Sequence, residues 1–236
     1  DYWGWLRYLL DWHLKKNYSQ TSMLQTKTLY VIGDSHSLAY HNITLKTKNS
    51  ALLCKCEWIW GCKQFHLGQQ GANQFKYKFE KIVASLPLAS SVLLSIGEID
   101  CRLDDGILPH CKKNSERKIQ QVINNTVNNY LNYILEKSSL YFHKVIIQGI
   151  PCPNLDISNF TNQEIKELID LVQKFNEKLK AKSLSCGFEF LDLNQITNDA
   201  KGFSNGLWHA DAYHISPDGV QEAWRHYILN KLAHSK

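Results

Sequence analysis

No apolar run in the 236-residue chain approaches the length of a membrane span. Its start shows none of the charged, apolar and small-residue zones of a secretory signal. The chain begins at Asp1 rather than Met, which reads as a processed product or an excised piece of a longer protein, so no compartment can be read. Repeats and low-complexity segments are absent. Neither sign of charge dominates: 27 Lys and Arg against 22 Asp and Glu leave +5. The densest basic cluster, Lys112, Lys113, Arg117 and Lys118, is broken by Glu116 and reads as a solvated helix start. A surface that tracks phosphates needs a longer stripe, which argues against a nucleic-acid partner. Seven cysteines form no dense disulfide framework, and the odd count leaves at least one unpaired unless it bonds another chain. Cys54, Cys56, Cys62 and His66 lack the intervals of a paired CxxC zinc site, and Cys54 and Cys56 suit buried thiols alternating along a strand. No metal or organic cofactor is expected.

What is present is enough apolar material for a core, 44% of residues. Residues 2–16 place Trp5, Leu9 and Trp12 at helical spacing, with Lys15 and Lys16 at the end. This helix fits packing on the domain or a docking surface for an upstream domain better than a membrane anchor, because its polar face is not strongly basic. A polar linker follows to residue 26, so the chain divides into residues 1–26 and a domain over 27–236. Apolar strands are expected at 28–32, 51–58, 91–96, 144–149 and 188–193, with helices near 72–86, 115–137, 162–183 and 217–233. Continuous apolar strands joined by helices predict a five-stranded parallel sheet in a three-layer α/β/α sandwich. Sites in such folds gather at the carboxyl edge of the sheet.

Two separated motifs fall at that edge. The first strand ends in Gly33-Asp34-Ser35-His36-Ser37, where Ser35 reads either as a helix N-cap or as a nucleophile beside free backbone N–H groups. Far downstream, Asp211-Ala212-Tyr213-His214 precedes Ser216-Pro217, a cap and first residue for the last helix. An Asp-x-x-His turn can set a carboxylate on one imidazole nitrogen and turn the other toward a serine. His209 is an alternate base. There is no G-x-S-x-G elbow.

Together with a glycine segment between them, GDSHS and DAYH resemble the SGNH (GDSL-like) hydrolase superfamily over residues 27–233. The resemblance implies a flavodoxin-like sandwich and an esterase, lipase, carbohydrate deacetylase or acyltransferase activity. It implies Ser35 as nucleophile, Asp211 and His214 as its partners, and backbone N–H groups of Ser35 and Gly61 as oxyanion donors, with Gly68 and Gly71 as weaker matches than Gly61. The family's Gly-x-Asn-Asp block reads Gly97-Glu98-Ile99-Asp100-Cys101-Arg102 here, so the oxyanion-donating Asn is replaced by Ile99. Arg102 is then either a substitute donor or an ion-pair partner of Asp100 or Glu98, and Glu98 is expected to face Arg102 or a substrate hydroxyl. Asn154 is a candidate pocket residue, and Trp58, Trp60 and Trp208 are either packed or a sugar platform. The expected activity is hydrolysis of short acyl esters, acetyl on a carbohydrate foremost, on a small-molecule or glycan ester. A glycan O-acyltransferase and a non-catalytic binding module are the alternatives.

Overall fold

A computed structural model describes residues 2–16, 26–47 and 50–233. Most of the expected linker, residues 17–25, lies outside the described residues. In chain order the elements are α1 (Tyr2–Lys16), β1 (Thr26–Gly33), β2 (Thr44–Lys46), β3 (Ala51–Trp58), α2 (Gln64–Gly68), α3 (Gln74–Ser85), β4 (Ser91–Ser95), α4 (Ile107–Lys113), α5 (Ile119–Ser139), β5 (Lys144–Gln148), α6 (Asn162–Ser185), β6 (Glu189–Leu191), α7 (Leu193–Thr197) and α8 (Pro217–Ala233). Short 3₁₀ segments interrupt the loops at Ser35–Tyr40, Ile99–Cys101 and Ile157–Asn159.

The sheet has six strands in the order β2-β3-β1-β4-β5-β6. Five run parallel, and β2 pairs antiparallel to β3 at the edge. The five-stranded parallel expectation is corrected by that one added strand. Its three residues are too few to show a period, and where β2 turns into β3 Thr47 N donates to the Ser50 carbonyl at 2.9 Å.

Strand side chains alternate between two cores, as the pleat requires. Val31, Leu93 and Ile146 face one core, with Trp5 and Leu9 of α1 and Val220 and Trp224 of α8. Their neighbours Ile32, Leu94 and Ile147 face the other, with Phe79 of α3, Tyr130 of α5 and Phe175 of α6. The result is the expected three-layer sandwich. At the carboxyl edge, Gly33 pairs with both Trp58 and Ser95. A side chain there would bring its Cβ within 2.2 Å of the Ser95 carbonyl oxygen, so only glycine lets β1 and β4 close at this point. Among the described residues no helix is long and apolar enough to cross a membrane.

Candidate active site

Because the strands run parallel, the loops after β1, β3, β4 and β5 leave the sheet at one edge. Ser35 opens the 3₁₀ turn after β1. Asp34 caps that turn, its Oδ1 accepting from the backbone N–H of His36 at 2.9 Å. Asp211 and His214 lie in the loop before α8. That loop is pinched shut by Ala210 N donating to the His214 carbonyl and Ser216 N donating to the Trp208 carbonyl, both at 2.8 Å. Ser216 then caps α8 by accepting from Gly219 N at 3.0 Å.

Two chain segments 179 residues apart meet here, with Ser35 Oγ 2.9 Å from His214 Nε2. On the other side of the ring, Nδ1 lies 2.8 Å from Asp211 Oδ2. A carboxylate only accepts, so Nδ1 carries the hydrogen and Nε2 is left to accept from the Ser35 hydroxyl. Asp211 Oδ1 also accepts from the backbone N–H groups of Tyr213 at 2.8 Å and His214 at 2.7 Å. Asn154 donates from Nδ2 to the Asp211 carbonyl at 2.9 Å, bracing the loop. Burial works to raise the Asp211 carboxyl, but the hydrogen bonds from His214 and the neighbouring amides outweigh it and hold the group well below the usual carboxylate range. Burial lowers the His214 imidazole, and the charge of His36 lowers it further against the pull of Asp211. The ring is therefore neutral, and a base, at neutral pH.

His36, the residue after Ser35 in the first motif, lies beside the relay. Its ring centroid is 4.6 Å from that of His214. Its Nδ1 lies 2.8 Å from Asp34 Oδ1, and its Nε2 lies 3.4 Å from Glu98 Oε2. Burial opposes its charge, yet Asp34 and Glu98 overcome that and push it up to about 9. Glu98 also binds Arg102, through Nε at 2.7 Å and Nη2 at 2.6 Å. The Arg102 guanidinium lies over the Tyr213 ring, 4.1 Å from its centroid. Glu98 thus faces two cations, and Arg102 faces Glu98 rather than Asp100.

Asp100 turns away from this group. It is 1% exposed and accepts from the backbone N–H groups of Gln64 at 2.8 Å and Phe65 at 3.2 Å. Burial pushes it up to about 7 against those donors. It ties the Gly97–Arg102 segment to the start of α2, shortly after Gly61, whose φ of 60° belongs to the left-handed region. Gly68 and Gly71 flank the end of α2. Ile99 is buried and brings no side-chain donor.

His209 bonds elsewhere, with Nδ1 2.9 Å from Ser204 Oγ, and burial lowers it to about 4. Trp58 and Trp60 adjoin one another at 5.2 Å, and Tyr2 of α1 stacks on Trp58 at 5.9 Å. Trp208 packs instead against Gly219 of α8. Cys54 and Cys62 lie in the two different cores, so Cys54, Cys56, Cys62 and His66 do not converge. Nothing in the spacing of α1 shows which surface it covers. Its Trp5 stacks on the His214 ring with centroids 4.7 Å apart and planes 7° from parallel.

No protein-family model matches the chain, and no curated protein matches it in sequence. Solved structures do match in fold. A candidate acylhydrolase from Bacteroides fragilis is 17% identical with a TM-score of 0.57, covering 93% of this chain and 94% of its own. A GDSL-like lipase from Bacteroides thetaiotaomicron is 14% identical with a TM-score of 0.54, covering 97% and 98%. A phospholipase A1 from Streptomyces albidoflavus is 15% identical with a TM-score of 0.52, covering 87% and 98%. At such identities the likeness is one of fold.

Proposed function

We propose that the chain is a serine esterase of the SGNH hydrolase type that cleaves short acyl esters, acetyl groups on carbohydrates foremost. The observation that carries this reading is the unbroken relay from Ser35 Oγ through His214 to Asp211, at 2.9 Å and 2.8 Å. His214 Nε2 takes the Ser35 proton as Oγ attacks the ester carbonyl. The imidazolium that forms is stabilised by Asp211. The tetrahedral oxyanion is held by the backbone N–H groups of Ser35 and Gly61. His214 gives its proton to the leaving alcohol, and water, activated by the same base, releases the acid from Ser35. Asn154 braces the Asp211 loop, and Arg102 with His36 offsets the Glu98 carboxylate, which would otherwise repel the oxyanion. The exposed face of Trp60, beside Tyr2 and Trp58, suits a sugar ring.

One feature favours a second reading, a binding module without turnover: Ile99 stands at the donating Asn position and Arg102 is engaged by Glu98. A fluorophosphonate probe separates the two. Labelling of the wild type and not of Ser35→Ala supports the esterase, and labelling of neither supports the module. Acetylated sugars offered with and without a glycan acceptor then distinguish hydrolysis from acyl transfer by their products.

A further inference from the structure

Helix α1 precedes the strand and helix alternation, yet its buried face reaches the relay. Trp5 is 2% exposed. Besides stacking on His214, its indole N–H donates to the Ser35 carbonyl at 3.4 Å. One side chain therefore touches both residues of the Ser35–His214 hydrogen bond. Two turns on, Trp12 donates from Nε1 to Asp218 Oδ2 at 2.9 Å, and Lys16 pairs with Asp218 at 3.4 Å. Asp218 belongs to α8, directly after the loop that carries His214. Helix α1 is thus fastened to the same short segment that presents the base.

We propose that Trp5 is a positioning residue, whose indole holds the His214 imidazole in the rotamer that reaches Ser35 and closes one face of that ring to water. This rests on the esterase reading of the same site. The charged and titratable groups facing His214 are Asp211 from its own loop, His36 from the 3₁₀ turn after β1, and Glu98, itself paired with Arg102, from the loop after β4. Trp5 is the neutral contribution from α1, so replacing it alters water access and leaves those charges in place. Burial is the leading influence on His214 and acts downward, so opening the ring to water raises its proton affinity. The attraction of an indole face for an imidazolium acts the other way, but it is the weaker effect where the stack also excludes solvent.

The test uses the full chain, with wild type, Trp5→Ala, Trp5→Leu and Trp5→Phe, and Leu14→Ala as a control on the exposed face of α1. The readouts are the NMR titration of the His214 ring and the pH dependence of kcat and KM on an aryl acetate. Trp5→Ala is expected to lower kcat about ten-fold with KM within about two-fold, and to raise the His214 midpoint by about half a unit or more. Trp5→Phe, which keeps a flat ring, restores most of both, and Leu14→Ala matches wild type. Trp5→Leu, which keeps apolar bulk without the ring, carries the test if Trp5→Ala does not fold; it must lower kcat and raise the midpoint. An unchanged or lowered midpoint, or equal losses in Trp5→Phe and Trp5→Leu, overturns the proposal. A raised midpoint in a chain whose wild type cleaves no ester upholds the Trp5 contact and sinks the esterase reading alone.

Discussion

Each nitrogen of the His214 ring has its own partner, and that division gives the ring its direction. Replacing Asp211 by Asn keeps the shape but lets the amide accept less strongly and donate, which permits the wrong tautomer. Asp211→Asn is expected to lower kcat about 10³–10⁴-fold with KM little changed, as steady-state kinetics will show. The pH profile follows from the same ring. In the proposed mechanism His214 must be neutral to accept the Ser35 proton, and burial lowers its proton affinity. The acid limb of kcat/KM should therefore fall below the ordinary histidine value of 6.5, with activity lost as pH drops through it. His36 works in the opposite sense. Its folded value of about 9 stands above the ordinary 6.5, so the stability it contributes is complete below 6.5 and disappears as pH rises through 9. The loss is of order 3 kcal/mol across that window. Melting temperatures from pH 6 to 10 should show the decline in wild type, and the difference from His36→Gln should flatten. The candidate site was only half legible at this scale. GDSHS and DAYH announce Ser35, Asp211 and His214, because both motifs sit where strands and a helix cap predict the edge. The ties of His36 to Glu98 and of Glu98 to Arg102 depend on two loops from different strands, which no spacing encodes.

Elements bring these residues together through close contacts between backbones. Helix α6 begins with a reciprocal box, Glu164 N donating to Thr161 Oγ1 at 3.2 Å and Thr161 N donating to Glu164 Oε2 at 3.0 Å. The tightest constraint is at the end of β1. Gly33→Ala would drive a methyl group into the Ser95 carbonyl, and neither strand can yield without breaking a parallel ladder. We expect a loss of more than about 3 kcal/mol, read by denaturant unfolding, together with loss of probe labelling because Ser35 is two residues away. The long strands and helices were legible because their apolar residues repeat with a fixed period. The short elements were not: α4 with seven residues, β2 with three and α7 with five carry too little pattern. Helix α1 was legible as a helix and not as a neighbour of the site. Amphipathic spacing says that Trp5, Leu9 and Trp12 share a face, but it does not say which surface that face meets.

On the scale of the whole molecule, no disulfide ties the described residues together. All seven cysteines are free thiols, and Cys54, Cys62 and Cys101 are almost wholly enclosed. Of the two half-buried cysteines, Cys56 donates from its thiol to the Ser37 carbonyl at 2.8 Å, which leaves Cys186 as the readier target. Mass spectrometry after brief alkylation of the native chain should find Cys186 modified first, and all seven only after unfolding. The sequence by itself determined the alternation of strands and helices, the layered fold that follows from it, and the two motifs at the sheet edge. These rest on local periodicity and on caps, which act between residues a few positions apart. Only the tertiary structure decided that β2 adds an antiparallel edge to the sheet, that Arg102 turns to Glu98, and that Trp5 lies flat on His214. Those outcomes depend on which distant surfaces exclude water from each other, and that is a property of the assembled core rather than of any stretch of chain.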